Sequence, residues 1–364
     1  MSGYVLGTRA RGEGHRLHVH ESLGSTNTEA LARFRDGEAG PLWVVARRQE
    51  AGRGRRGNSW LSEPGNLTAS LLWPVDDVEP GQVPTLGFVA GLALVSALAA
   101  AGVTGCRLKW PNDVLASGAK LAGLLLEAES RPGGRRAVVM GFGVNVAATP
   151  QGLPYRATCL RQMRYDTRAE DLFVHLTDGI VDAARLWACG HGFARIRERW
   201  IADAAGIGAP VSVRMGDTSV QGIFETIDEA GRLVVRSEDG TRRTVTAGEV
   251  PHRVADIGCG TAVLALPAAR TVHGVVLASD IDPVAVETAQ ANVLANGLDG
   301  RVECVLAEGF HHPVLDGAAQ PGPRDEPELA PRHRRVVPPH RSPSLLPPQP
   351  VLWSAVRYLA MAAH

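Results

Sequence analysis

The chain has 364 residues, with 38 Lys and Arg balanced by 38 Asp and Glu. At about 150 residues per domain, this length predicts two or three domains. The formal net charge of zero argues against a protein that coats nucleic acid, and a hydrophobic content of 45% excludes disorder of the whole chain.

The cysteines and the N-terminus predict a cytoplasmic protein. The five cysteines are scattered without a Cys-x-x-Cys pair, which argues against a disulfide framework and against a structural zinc site. The opening residues, MSGYVLGTRARGEG, lack the apolar core of a secretory signal.

Strand-like and helix-like patterns alternate up to about residue 205, which predicts a mixed α/β domain over residues 1–205. Thr26 and Glu29 have the spacing of a capping box and predict the start of a helix. The other elements predicted in this domain are strands at 42–46, 67–73 and 138–142 and helices at 169–187 and 193–204.

A loop between the strands at 42–46 and 67–73 is dense in glycine and arginine: GRGRRG spans residues 52–57, and Trp60 follows it. Glycines let backbone N–H groups approach an anion, arginines supply forked donors that match phosphate oxygens, and Trp60 offers a face for stacking a base. Taken alone, the loop fits a phosphate cradle, an exposed flexible basic loop or an RNA-binding patch.

Residues 86–103 carry no charge over 18 positions, near the lower limit for crossing a bilayer. The stretch is rich in Ala and Gly, follows Pro84 and contains Gly102 near its end. These features predict a helix buried in a soluble core and no membrane span.

A predicted hairpin carries charged side chains on both of its sides. KWPND spans residues 109–113, and KLAG follows at 120–123 after a turn at 117–119. Pro111 stiffens the chain after a strand, which places Asp113 at the end of that strand, and Lys120 follows the turn of the hairpin. This spacing predicts that the Asp113 carboxylate and the Lys120 ammonium enter one cleft. The alternative is an exposed turn with surface lysines. The later run GFGVN, residues 141–145, is either a tight turn or a place where backbone approaches a ligand.

The rest of the chain predicts three further parts. Short strands with turn residues between them predict a small SH3-like β-barrel over residues 206–250. Strand, glycine turn and helix patterns over residues 251–315 predict part of a doubly wound α/β unit. Residues 316–364 are rich in Pro and Arg and are predicted to be disordered, because they cannot bury enough apolar surface.

Taken together and in order, the motifs of the first 250 residues resemble the biotin protein ligase family. The resemblance rests on Ser25-Thr26-Asn27, Gln49, the GRGRRG loop with Trp60, KWPND with KLAG, and GFGVN, and it covers about residues 17–250. It implies a ligase that joins biotin and ATP into biotinyl-5′-AMP and then transfers biotin to a lysine of a biotin carboxyl carrier protein, a subunit of acetyl-CoA carboxylase. Biotin, ATP and Mg²⁺ are the implied cofactors.

The resemblance also implies roles for individual residues of this sequence. Lys120, Arg55 and Asp113 would be catalytic, with Asp113 holding Mg²⁺ or orienting the incoming amine. The implied biotin-binding residues are Ser25, Thr26, Asn27, Gln49, Arg53, Gly54, Arg55 and Lys120. The implied nucleotide-binding residues are Arg53, Arg55, Arg56, Trp60, Asn112, Lys120 and Asn145.

Several alternatives stay open at this point. A lipoate-type or other acyl-adenylate ligase and a non-enzymatic sensor of biotin or nucleotide fit the same motifs less closely. Many family members carry an N-terminal winged-helix domain, and the residues before Ser25 are too few for one. No DNA-binding domain is therefore expected.

Residues 251–315 resemble the opening half of an S-adenosylmethionine-dependent ribosomal-protein methyltransferase. In that family the glycine turn, 258–260 here, approaches the cofactor and an acidic residue, Asp280 here, binds its ribose. Ala262 replaces the usual third glycine, and no fourth strand with an Asn/Asp-Pro motif follows Phe310. We expect a remnant or a tail out of register with the original reading frame; a bifunctional fusion is the alternative.

Overall fold

The computed structural model describes residues 3–307 except 56–57, 154, 216–217, 238, 247–252, 258, 263–264, 267–268 and 270–274. The predicted disorder of residues 316–364 therefore lies outside the described residues. The chain divides near residue 254 into two compact units.

The first unit is built around one large sheet and one small sheet. Its strands are β1 (Arg16–Leu23), β2 (Leu42–Gln49), β3 (Leu67–Pro74), β4 (Cys106–Lys109), β5 (Asp113–Ala116), β6 (Ala119–Arg131), β7 (Arg135–Val144), β8 (Pro210–Met215), β9 (Thr218–Ile227), β10 (Leu233–Arg236) and β11 (Arg242–Val245). Its helices are α1 (Thr8–Gly12), α2 (Thr26–Arg35), α3 (Leu86–Ala100), α4 (Ala169–Trp187) and α5 (Phe193–Ala202).

The large sheet has seven strands in the order β1-β2-β3-β7-β6-β5-β4. Strands β1 and β2 are parallel, and the other neighbours are antiparallel. The predicted mixed α/β domain is thus confirmed as a fold with a mixed sheet. The edge strand β1 was not predicted, because it alternates charged and apolar residues on a largely exposed edge. The strand expected before Pro111 is β4, for which no bounds were predicted because it has only four residues.

One face of the large sheet packs against α3 and α4, and α5 packs against these two helices, so that together they form the main core. Helix α3 is apolar on all sides because the sheet and the other two helices surround it. The stretch Pro80–Ala100 is long and apolar enough to cross a membrane, yet 61% of its apolar 18-residue window is buried inside the protein. The predicted core helix is therefore confirmed.

The opposite face of the sheet packs against α2. Ala30, Leu31 and Phe34 of α2 form a second cluster with residues of β2, β3 and β7. The predicted capping box on Thr26 is wrong by one residue: Ser25 is the N-cap, and its side chain accepts a bond from Thr28 N at 3.5 Å. This shift frees the Thr26 hydroxyl for contacts across the sheet.

The small sheet has four antiparallel strands in the order β11-β10-β9-β8. Its apolar residues, including Val213, Phe224 and Leu233, belong to the same core as α3 and α5. Gly231 has a positive φ, and a Cβ atom there would lie 2.8 Å from Cε2 of Phe88, so a side chain at this position would collide with that ring. The small sheet therefore contributes to the stability of the first unit.

The second unit, as far as it is described, contains strands β12 (Arg253–Ile257), β13 (Val275–Asp280) and β14 (Val302–Leu306) and the helix α6 (Pro283–Ala295). The strands lie in the order β12-β13-β14, and β13 and β14 are parallel. Asp280 accepts bonds from the backbone N–H groups of Gly260 at 2.8 Å and Asp282 at 3.0 Å. These contacts hold the pKa of Asp280 below its usual value.

A buried histidine makes the stability of the first unit depend on pH. His15 is 6% exposed, and its Nδ1 accepts a hydrogen bond from the Trp43 indole at 3.1 Å. Burial lowers the pKa of His15, since a charged ring would lose hydration and this bond. Between the lowered folded pKa and the unfolded value of about 6.5, the unfolded chain binds more protons, so stability rises with pH.

We expect the unfolding free energy to be fully supported by His15 above pH 6.5 and to fall as the pH drops through that value towards the folded pKa. A His15→Leu variant removes the acceptor of the Trp43 indole, so it should lose about 1 kcal/mol at pH 8 and show a flatter profile between pH 8 and pH 5.5. Urea unfolding at both pH values measures the difference. Parallel profiles for the two proteins would contradict this role of His15.

Candidate functional site

The site lies on the face of the large sheet that carries α2, beside the N-terminus of that helix. The strand register aligns Gly123 with Gly143, and Leu125 with Gly141. On β3, Thr68 pairs with Gly143 and Ser70 with Gly141. Small side chains on neighbouring strands leave a shallow floor here, which we call the glycine floor (Thr68, Ser70, Gly123, Gly141 and Gly143). Of the two interpretations of the GFGVN run, the close approach to bare backbone fits the structure, because side chains lie against Gly141 and Gly143.

The N-terminus of α2 meets the glycine floor through a network of polar groups. Gln49 Oε1 accepts from Thr26 N at 2.7 Å and lies 3.0 Å from Thr26 Oγ1. Ser70 Oγ lies 2.7 Å from Thr26 Oγ1 and donates to Asn27 Oδ1 at 2.6 Å. The structure thus brings together the predicted Thr26, Asn27 and Gln49.

Asn27 is 4% exposed and lies directly over the backbone of Gly141. A Cβ atom on Gly141 would come within 2.3 Å of Asn27 Oδ1. The Asn27 amide nitrogen donates to Glu127 Oε2 at 2.8 Å and to the Leu125 carbonyl at 3.3 Å. Every polar atom of this buried side chain therefore has a partner, as a buried amide requires.

The glycine and arginine loop folds back over the same floor. Its base is closed by backbone bonds from Trp60 N to Gly52 O at 2.9 Å and from Gly54 N to Asn58 O at 2.7 Å. Gly52 cannot carry a side chain, because a Cβ atom there would lie 2.3 Å from the Trp60 carbonyl oxygen. The side chain of Arg53 extends from the loop and donates to Glu127 Oε2 at 2.9 Å.

The Trp60 ring packs directly against the glycine floor. A Cβ atom on Gly143 would be 2.3 Å from Cε2 of Trp60, and one on Gly123 would be 3.0 Å from its Cζ3. The indole Nε1 is buried and has no hydrogen-bond partner among the described residues. A buried donor without a partner is uncommon, and a polar group of a bound ligand would satisfy it.

Lys120 reaches the same place from the hairpin β5–β6. The predicted hairpin is confirmed, and Lys120 Nζ forms an ion pair with Asp113 Oδ1 at 2.7 Å, with both side chains mostly buried. The ammonium also lies 5.7 Å from the centre of the Trp60 ring and 5.1 Å from that of Tyr155. The predicted ammonium and carboxylate therefore meet next to the loop.

Three further residues predicted to bind nucleotide, Asn112, Asn145 and Arg55, form hydrogen bonds that hold their segments in place. Asn112 donates its amide to the Leu124 carbonyl at 2.6 Å and fastens the turn before β5 to β6. Asn145 is buried at the end of the GFGVN run, and its backbone bonds to residues 121 and 160. Arg55 lies at the tip of the loop, where its carbonyl accepts from Asn58 N. Arg56 lies outside the described residues.

The donor set around Asp113 suits a magnesium ion that arrives with phosphates. No group of three or more His, Cys, Asp or Glu side chains that would hold a metal occurs among the described residues. Mg²⁺ bound with a nucleotide needs only one or two protein carboxylates, because phosphates and waters supply the other ligands. Asp113 is such a single carboxylate, already paired with Lys120.

The sequence reasoning missed three residues of the site: Ser70, Glu127 and Tyr155. Ser70 was visible as a polar residue inside an apolar strand. Glu127 lies four residues after Gly123 on the same strand, and period-two alternation places both on one face. Tyr155 follows Pro154 in an irregular segment, and nothing in the sequence signals its contact with Lys120.

Comparison with known proteins finds matches to three family models along the chain. Residues 19–145 match the biotin/lipoate A/B protein ligase family, and residues 206–253 match the biotin protein ligase C-terminal domain. Residues 242–317 match ribosomal protein L11 methyltransferase.

Individual relatives agree with these matches. A biotin–[acetyl-CoA-carboxylase] ligase of Paracoccus denitrificans is 40% identical over 235 residues, 62% of this chain and 96% of that protein. The biotin protein ligase of Aquifex aeolicus, solved in complex with biotin and ATP, superposes with a TM-score of 0.56 at 25% identity, covering 64% of this chain and 97% of the other. A ribosomal protein L11 methyltransferase of Mesorhizobium japonicum is 49% identical over 71 residues, 24% of its length.

Proposed function

Because the chain belongs to the biotin protein ligase family, we propose that it is an ATP-dependent biotin ligase that forms biotinyl-5′-AMP and transfers biotin to a lysine of a biotin carboxyl carrier protein. One observation carries the proposal: the arginine loop and Lys120 converge over one glycine floor, with the Lys120 ammonium 5.7 Å from the Trp60 ring. Two negatively charged substrates would meet between these cations.

The first step joins two anions. A carboxylate oxygen of biotin attacks the α-phosphorus of ATP, a phosphorus–oxygen bond forms, and the bond to the leaving pyrophosphate breaks. Lys120, Arg53 and Arg55 would reduce the repulsion between carboxylate and phosphate, which is the main barrier to their approach. Gly54 would let the loop backbone come close to the same anions. Asp113 would hold the Mg²⁺ ion that accompanies the ATP phosphates.

The second step is acyl transfer. The amine of a carrier lysine attacks the carbonyl carbon of the mixed anhydride, an amide bond forms, AMP leaves, and the amine loses a proton. The arginine loop would exclude water from the anhydride until the carrier arrives. Arg56 is assigned to this loop by its sequence alone.

Substrate recognition would be divided across the floor. We assign the biotin head to Ser25, Thr26, Asn27 and Gln49. The network that joins Gln49, Thr26 and Asn27 reaches the Gly141 end of the floor. The nucleotide is assigned to the Gly143 end, where Trp60 offers a ring face and Asn112 and Asn145 lie on neighbouring segments. The two halves would bring the biotin carboxylate to Lys120.

We keep the proposed domain division of 1–205, 206–250, 251–315 and 316–364. The antiparallel sheet β8–β11 supports a small SH3-like barrel, and the parallel pair β13–β14 around α6 supports part of a doubly wound unit. The match to methyltransferases covers about a quarter of that relative, so we propose no methyl transfer. The cysteines, all free among the described residues, fit the reducing cytoplasm.

The test uses the full chain with ATP, Mg²⁺, biotin and an apo carrier domain. We expect biotin-dependent pyrophosphate release and covalent labelling of one carrier lysine. Lipoate in place of biotin is the matched control and should give neither product. Pyrophosphate release with lipoate alone would assign the chain to the other branch of the family, and no release with either acid would overturn the proposal of a ligase.

A further inference from the structure

Among the described residues, Glu127 is the one acidic side chain that bonds both to the polar network of Asn27 and to Arg53 of the arginine loop. Its Oε2 accepts from Asn27 Nδ2 at 2.8 Å and from Arg53 Nη2 at 2.9 Å. The carboxylate is partly exposed, at 24% of its side-chain surface, and the Asn27 side chain it contacts is buried. No role for this residue is implied by the motifs of the sequence.

The Glu127 contact, the shorter of two bonds from the Asn27 amide nitrogen, helps to fix which way the Asn27 amide faces. A carboxylate oxygen and the Leu125 carbonyl both accept and cannot donate, so the amide NH₂ must point at strand β6. The carbonyl oxygen Oδ1 is thereby turned towards Ser70 and the Gly141 backbone. Both N–H bonds of Asn27 are used, and Oδ1 has one lone pair beyond the bond from Ser70.

An amide held in this orientation meets a ligand as an acceptor. The ureido ring of biotin carries two N–H donors, and an acceptor at Asn27 matches one of them. If the amide were flipped, its NH₂ would face a ligand N–H, and two donors would be left without a partner in a buried site. Such unpaired polar groups are costly, which gives the orientation of one amide a large effect on affinity.

We propose that Glu127 is a positioning residue for biotin recognition, which fixes the amide of Asn27 as an acceptor and couples it to Arg53 of the loop. The inference rests on the proposed function, since the ligand it concerns is biotin. It makes strand β6 responsible for both halves of the site: Lys120 at one end for the reacting anions and Glu127 at the other for the ureido head.

The test compares Glu127→Gln with Glu129→Gln in the full chain. Glu129 lies two residues further along β6 and pairs with Arg35 at 2.5 Å. The Glu129→Gln substitution therefore removes a similar ion pair outside the site. A glutamine at 127 can donate as well as accept and no longer fixes Asn27. We expect its Kd and KM for biotin to rise about tenfold to a hundredfold, with KM for ATP and the rate at saturating biotin within threefold. Glu129→Gln should match the wild type.

A double-mutant cycle identifies the route. In an Asn27→Ala background, Glu127→Gln should change biotin affinity less than threefold, because the residue it positions is gone. The proposal is overturned if Glu127→Gln weakens biotin binding as much in the Asn27→Ala background as in the wild type. It is also overturned if this loss of affinity disappears only in an Arg53→Ala background. Thermal unfolding of each variant separates affinity from folding, and unchanged biotin binding by a folded Glu127→Gln would also overturn it. A wild-type chain that neither binds biotin nor releases pyrophosphate would remove the proposed function itself.

Discussion

Lys120→Ala is expected to slow biotin-dependent pyrophosphate release by about 10²- to 10³-fold, the usual effect of removing a group that stabilises developing charge. The ammonium is mostly buried beside the Trp60 and Tyr155 rings, so water cannot replace it well. Single-turnover measurement of pyrophosphate release at saturating biotin and ATP gives this factor.

The variant also leaves Asp113 without its ion pair, which should lower the melting temperature. A Lys120→Ala/Asp113→Ala double variant removes both charges and should recover most of the thermal stability but none of the activity. Arg107→Ala removes an exposed cation on β4 and is the control for loss of charge. Activity that returns together with stability in the double variant would make Lys120 a structural residue.

Gly141→Ala is expected to weaken biotin binding by about a hundredfold. The new methyl carbon would lie 2.3 Å from Asn27 Oδ1 and 3.0 Å from its Cγ, so the Asn27 side chain must leave its position. That movement breaks the bonds of Asn27 to Ser70 and Glu127. If each lost contact costs about 1.4 kcal/mol, which is a factor of ten in affinity, the two together give the expected hundredfold loss. Calorimetric titration with biotin measures the loss.

Gly87→Ala is the matched control for this substitution. It adds the same methyl group in α3, where the nearest side-chain atom, Leu126 Cδ2, would be 3.9 Å away. Alanine is also favoured over glycine in a helix, so stability should be unchanged or slightly higher. Biotin affinity of Gly141→Ala within threefold of the wild type would show that Asn27 does not depend on the bare backbone beneath it.

The sequence predicted the local elements well where a pattern was long or a turn was distinct. Helices α4 and α5 and the β5–β6 hairpin follow from periodicity and turn chemistry, which act between residues close in the chain, and the buried α3 follows from an uncharged stretch rich in Ala and Gly. The capping residue of α2 was misplaced because Ser25 and Thr26 are both good caps, and only the contact of Thr26 with Gln49 across 23 residues selects Ser25.

The sequence by itself determined the residue types that a ligase of this family needs, since charge, glycine content and motif order are properties of the chain alone. The tertiary structure decided which of them meet. Strand register over β3, β7 and β6 aligns Thr68, Gly143 and Gly123, residues far apart in the chain, in the glycine floor. It also places Glu127 under Asn27, a hundred residues away. Long-range pairing depends on how strands pack between α2 and the core helices, and no local pattern of residues carries that information.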